Sequence, residues 1–226
     1  MDLNLITGNL WSLEHPIRML PGVYIPARTT VLRKRDGALV VFSPLPRLCE
    51  AAEALRVLGP TDALVAPNLY HHLGLPEAIR CLAPRHVYGP ASLHRKRADI
   101  AFTDALGPSA PAVWSADLEQ LPLEGLKGVD EFAFFHRDSE TLLLGDLAFN
   151  VPRPSGFASW LMLGLTGSWG PFGPSRLFKT TIVDRKALRR SVDVLLGWNP
   201  TRIVMAHGEV IQTGGRERLQ AAFAFL

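Results

Sequence analysis

Asp62-Ala63-Leu64-Val65-Ala66-Pro67-Asn68-Leu69-Tyr70-His71-His72-Leu73-Gly74 is the stretch from which the rest of the chain can be organised. Its first five residues are a short apolar run of the kind that forms a buried strand. The polar remainder, punctuated by Pro67 and Gly74, reads as a loop carrying two adjacent histidines. Loops held at the end of a strand are where binding and catalytic groups are usually mounted. Upstream, Pro46 opens a helix with Leu48, Ala52, Leu55 and Leu58 at helical spacing, stopped by Gly59-Pro60. Downstream, a helical pattern from Pro76 (Ala78, Ile79, Leu82) leads to a short strand at His86-Val87-Tyr88 and another helix near Pro90. Strands alternating with helices predict an α/β domain.

Further out, the pattern becomes antiparallel. Gly22–Ile25, Thr30–Arg33 and Ala38–Phe42 are strand candidates, and Arg35-Asp36-Gly37 between the last two is a hairpin signal, because Asp-Gly accepts the positive φ of a tight turn. A second pair runs from Asp130 to His136 and from Thr141 to Leu147, turned by Arg137–Glu140, so Asp146 sits at the end remote from the turn. Residues 151–176 are rich in Gly, Pro and aromatics without a clean period. They read as a long irregular insertion with at most a short helix near Trp160. Asp184 caps a helix with Leu188, Val192 and Leu195 inward, Thr201–Met205 is the last strand, and a final helix carries Leu219, Phe223 and Leu226.

Composition narrows the classes. At 226 residues with 47% hydrophobic and 20% charged side chains, the chain can bury a core, and one domain spanning 1–226 is expected. The net charge of +3 comes from dispersed Lys and Arg, so nucleic acid is not an expected partner. No signal-like or membrane-spanning apolar run is visible, which makes cytoplasmic location the default. Cys49 and Cys81 fall in helical stretches with no second Cys or His at ligand spacing, and two cysteines do not make a disulfide scaffold.

Four residues share one placement: His71, His72, Asp146 and His207 each lie at the C-terminal edge of an expected strand or in the loop just after it. Imidazole and carboxylate suit Zn²⁺ and other divalent first-row ions. The order and contexts, Pro67-Asn68-Leu69-Tyr70-His71-His72, Leu143-Leu144-Gly145-Asp146-Leu147 and Met205-Ala206-His207-Gly208-Glu209, resemble the metallo-β-lactamase-fold hydrolases over nearly the whole chain. The resemblance implies a four-layer αββα sandwich. It also implies a metal-binding His-x-His-x-Asp-His loop, and here the sequence departs: the first two histidine positions fall on Pro67 and Leu69, and the aspartate position on His71. The middle histidine expected around Lys127 to Asp130 is missing, while His136 abuts a hairpin turn remote from Asp146.

The surviving residues imply one ion rather than two. His71, His72, Asp146 and His207 are the expected ligands, with Asp146 doubling as the base that orients water, and Zn or Fe as the ion. Asn68, Glu131 and Glu209 are the expected outer partners: Asn68 to orient a ligand or polarise a carbonyl, Glu131 opposite Asp146, and Glu209 to hold the other nitrogen of His207. The implied activity is hydrolysis of an ester, thioester or lactone-like small molecule. The alternative is a metal-free, non-catalytic relative used for binding or homodimerisation.

Overall fold

Period-two alternation builds both sheets, because successive strand side chains point to opposite faces. A computed structural model describes every residue except Ser155. The chain opens with β1 (Leu3–Thr7), β2 (Leu10–Glu14), the short pair β3 (Ile17–Leu20) and β4 (Val23–Ile25), then β5 (Arg28–Arg33) and β6 (Leu39–Phe42). The β5–β6 hairpin turns at the expected Asp36-Gly37, with Gly37 at φ +85°. A 3-10 turn and α1 (Ala52–Leu58) lead to β7 (Thr61–Val65), α2 (Leu75–Leu82), β8 (His86–Gly89), α3 (Ala91–Lys96) and β9 (Asp104–Ala105). Then come β10 (Leu118–Pro122), β11 (Phe132–His136), β12 (Thr141–Leu144) and β13 (Phe149–Val151). The remainder comprises α4 (Phe157–Thr166), β14 (Gly170–Gly173), α5 (Arg176–Lys179), α6 (Arg185–Gly197), β15 (Arg202–Met205) and α7 (Gly215–Ala222).

One sheet has the order β1-β2-β5-β6-β7-β8-β9 and the other β10-β11-β12-β15. Their alternating residues sort into three buried layers. Val40, Phe42, Ala63 and Val65 of the first sheet meet Phe132, Phe134, Leu143 and Val204 of the second in a central layer. Their neighbours Leu39, Val41 and Leu64 face outward onto Leu48, Leu55, Leu75 and Ala78 of the first helical layer. On the other side Ala133, Phe135, Leu142, Ile203 and Met205 face Leu188, Val192 and Leu195 of α6 and Leu219 of α7. This is the expected αββα sandwich. Because β6, β7 and β8 run parallel, as do β12 and β15, the loops leaving β7, β12 and β15 can gather at one edge.

Three features depart from the sequence reading. β1, β2, β9 and β10 are additional strands of the two main sheets; Leu10 and Leu13 are fully buried, but Ser12 between them interrupts the clean alternation. The 151–176 stretch is more ordered than expected: α4 runs between Gly156 (φ +80°) and Gly167 (φ +67°), and β13 pairs with β14 across it. Gly156 and Gly167 bound the helix, and the apolar run between them accommodates the single internal Gly164. Finally, Cys49 and Cys81 are joined in a disulfide, their Cα atoms 5.7 Å apart. The two helical segments lie side by side, a proximity that a 32-residue separation does not reveal. No helix among the described residues is long and apolar enough to cross a membrane.

The disulfide spans a sequence separation of 32, a loop that restricts the unfolded chain by about 4 kcal/mol. Dithiothreitol is therefore expected to lower the melting temperature by roughly 8–16 °C, with no titratable thiol before reduction. Two free thiols in the untreated protein, or an unchanged melting curve, would contradict the pairing.

Candidate metal centre

The loop after β7 is tied to the second sheet before its histidines appear. Pro67 accepts a backbone bond from Phe132 (2.8 Å), and Leu69 donates to Val129 (3.0 Å). The fully buried Asn68 then organises the turn: its Oδ1 accepts from the backbone N–H groups of Tyr70 (2.8 Å) and His71 (3.0 Å). Its Nδ2 donates to Glu131 Oε2 (3.0 Å) and Asp146 Oδ2 (2.9 Å). One side chain thus fixes both the direction in which His71 leaves the loop and the orientation of the Asp146 carboxylate.

Glu131 holds the loop after β12. Its carboxylate accepts from the consecutive backbone N–H groups of Gly145 (3.0 Å), Asp146 (2.9 Å) and Leu147 (2.9 Å). Far from a solvated strand residue, it is 1% exposed. A Cβ on Gly145 would stand 3.0 Å from Asn68 Nδ2 and 3.1 Å from Glu131 Oε1, so glycine gives these groups their close approach. Burial, with the Asp146 charge beside it, pushes the Glu131 pKa up to about 7 against the donors that favour its ionised form.

The third loop brings His207. Gly208 adopts φ +91°, and a Cβ there would lie 1.9 Å from Asn150 O, which accounts for the His-Gly sequence. Arg28 underpins this turn from the first sheet, donating to the carbonyls of Met205 and Gly208 (2.6 Å each) and to Glu14 (2.8 Å). His207 stacks on Phe149, centroids 5.1 Å apart, and its Nδ1 lies 2.8 Å from Pro26 O.

At the convergence of these loops, Asp146 Oδ1 is 3.3 Å from His71 Nε2 and 3.2 Å from His207 Nε2. The donor atoms of His71, Asp146 and His207 all fall within 4.8 Å of one another. Pro26 can only accept, so His207 carries a proton on Nδ1 and directs Nε2 at a carboxylate oxygen. A lone pair facing that oxygen would be repelled; a proton or a metal cation between them resolves the conflict. Bonds of about 2.0–2.1 Å from a tetrahedral zinc place its ligands about 3.3 Å apart, which the two carboxylate–imidazole separations match. The three residues therefore fit one divalent ion and leave a fourth position open. Two imidazoles and one carboxylate also suit Fe²⁺.

The electrostatics agree. Burial opposes charge on Asp146, but His71 and His207 beside it hold its pKa well below the usual carboxylate range. Burial opposes protonation of His71, yet Asp146 and Glu131 outweigh it and raise its pKa.

Two expected participants lie elsewhere. His72 does not join the cluster: its Nδ1 is 2.7 Å from Arg97 Nη1, because adjacent side chains in the turn diverge. Guanidinium can only donate, so Nδ1 accepts and the ring proton resides on Nε2, leaving no lone pair for a metal. Burial, Arg97 and Lys96 all lower the His72 pKa. Glu209 is exposed and reaches Asn150 through its backbone; the carbonyl of Pro26 holds the imidazole instead. His136 bonds Ser139 at the remote turn, as expected. Pro26, Arg28 and Arg97 had no signal in sequence, since their roles arise from contacts across the fold.

Solved structures share this architecture. A metallo-β-lactamase from Pontibacter korlensis aligns over 100% of this chain and 99% of its own, with TM-score 0.70 and 13% identity. One from Hirschia baltica aligns over 99% and 96%, with TM-score 0.68 and 13% identity. One from Pseudomonas aeruginosa, solved in its mono-zinc form, aligns over 99% and 93%, with TM-score 0.67 and 15% identity. The chain thus has the metallo-β-lactamase fold. No family model matches the sequence, and no curated protein aligns with it significantly.

Two outcomes follow from the site. Asn68→Ala removes one donor from each of two carboxylates and leaves the N–H groups of Tyr70 and His71 without their acceptor, and is expected to cost about 2–4 kcal/mol in urea unfolding; a loss below about 0.5 kcal/mol would show the network to be dispensable. Metal affinity should rise with pH, because a cation must displace the proton that the raised His71 pKa retains, while Glu131 ionises near pH 7. Competition titrations between about pH 5.5 and 8 test this, and a flat profile would count against it.

Proposed function

We propose that the chain is a mononuclear metal-dependent hydrolase, organised as one unit over 1–226, acting on an ester, thioester or lactone of a small molecule. The observation that carries this reading is the pair of imidazole nitrogens 3.2 and 3.3 Å from a single carboxylate oxygen. His71, Asp146 and His207 would hold the ion, zinc or iron by donor type. Such an ion supplies a coordinated water of lowered pKa and polarises the bond under attack. The mono-zinc form of the Pseudomonas aeruginosa neighbour supports use of the fold with one ion.

The chain's own residues provide order. Asn68 fixes Asp146 Oδ2, so Oδ1 alone faces the imidazoles and can accept a hydrogen bond from water beside them. Pro26 sets the His207 tautomer, and Glu131 immobilises the backbone that carries Asp146. Positioning of this kind supplies part of the barrier reduction without further movement. A cavity of about 260 Å³ lined by His15, Pro16, Pro26 and Gly208 adjoins the His207 loop and offers room for part of a substrate.

The metal-free alternative rests on a specific observation: a doubly protonated His207 would satisfy Pro26 and Asp146 equally well. Elemental analysis of protein expressed in metal-replete medium separates the two. Near-stoichiometric zinc or iron is expected, lost in His207→Ala and Asp146→Ala and retained in His72→Ala, with ester or lactone hydrolysis following metal content. Substoichiometric metal in the parent protein supports the binding-domain reading instead.

A further inference from the structure

Beside the metal centre lies a surface that the proposed hydrolase chemistry leaves unexplained. α4 carries no charged residue, and its face bearing Phe157, Trp160, Leu161 and Leu165 points outward. Phe157 is 77% and Leu165 70% exposed. The opposite face is the one that packs: Ser159 accepts a bond from Tyr24 N (2.8 Å), and Leu163 joins Ile25, Phe149 and Val151 in a small buried cluster. This seats α4 against the β3–β4 hairpin, whose Leu20 is 50% exposed, while Trp169 sits within 5.8 Å of Trp160, between ring centroids. Isolated exposed apolar residues are ordinary, but a continuous patch marks an interaction surface.

The charge around the patch identifies what it meets. Residues 147–183 and 15–35 contain no Asp or Glu. Arg18 on the hairpin, Arg153 before α4 and Arg176 after it are exposed and make no ion pair among the described residues. A two-fold pairing of copies through this face would set these arginines against each other with no acid to meet them. An anionic bilayer satisfies both components: aromatic and aliphatic side chains enter the headgroup boundary, and arginines meet lipid phosphates.

We infer that α4 and the β3–β4 hairpin form a peripheral docking face for an anionic lipid membrane. The face is continuous with the metal centre through Phe149, which touches the α4 cluster and stacks on His207. The inference stands on the surface itself and does not require the site to hold metal.

Cosedimentation of the full chain with vesicles tests it. Phosphatidylcholine vesicles containing phosphatidylglycerol should bind at least about tenfold more tightly than phosphatidylcholine alone, with binding weakened by salt. Leu165→Glu and Phe157→Glu should abolish binding with unchanged melting temperatures, since both side chains are largely solvent-facing. Arg18→Glu combined with Arg153→Glu should remove the preference for phosphatidylglycerol. Absence of binding to either vesicle, or equal binding to both, overturns the inference. So does a solution dimer that Leu165→Glu dissociates and vesicles do not. Loss of metal in His207→Ala with vesicle binding intact separates this surface from the proposed hydrolase.

Discussion

Three consecutive backbone N–H groups, at Gly145, Asp146 and Leu147, converge on the buried carboxylate of Glu131. Without that acceptor the exit from β12 would leave its donors unpaired in the interior, an expensive arrangement. With it, the backbone at Asp146 is held while its side chain remains free to face the loops after β7 and β15. Asn68 extends the same network to the first sheet, because its amide reaches both carboxylates and its carbonyl positions His71. The site is therefore braced by the contact between two sheets rather than by either one.

This bracing explains which parts of the fold could be read along the chain. The alternations Leu39-Val40-Val41-Phe42 and Ala63-Leu64-Val65 assign each side chain to one of two buried layers, and the layers appear as expected. β10 was obscured because Glu119 and Gln120 interrupt its apolar residues: Gln120 is buried and bonds the carbonyls of Gly107 and Ser109, a partnership that exists only once the chain has folded. α4 was obscured for the opposite reason, since its residues are apolar almost all round and yield no face. The exposed half of α4 departs from the usual rule that apolar faces turn inward, and such departures concentrate where a protein meets something else.

The site was legible in its residue types and less so in its geometry. His71, Asp146 and His207 could be picked out by their positions after strands, because a parallel sheet aligns such ends. Nothing local distinguishes His71 from His72, yet in the fold they face a carboxylate and a guanidinium respectively. Glu209 was the nearest acid to His207 in sequence; Pro26, 181 residues away, is its neighbour in space. Backbone carbonyls bear no sequence signature, so the partner that fixes a histidine tautomer will often be missed in this way.

Charge clarifies why Glu131 tolerates so costly a position. With histidine where the resemblance implies an aspartate, the ligands His71, Asp146 and His207 carry one negative charge when the imidazoles are neutral. A divalent cation among them leaves one positive charge in a largely buried site, and ionised Glu131, linked to Asp146 through Asn68, neutralises it. In the absence of a cation, burial first and repulsion from Asp146 second push the Glu131 pKa up to about 7, and the two carboxylates together raise the His71 pKa against the opposing effect of its burial. A proton or a divalent ion placed between them would relieve the same repulsion between Glu131 and Asp146. The same pair of acids makes the braced network costly when it lacks positive charge, and with histidine at position 71 the three clustered donor residues include a single carboxylate.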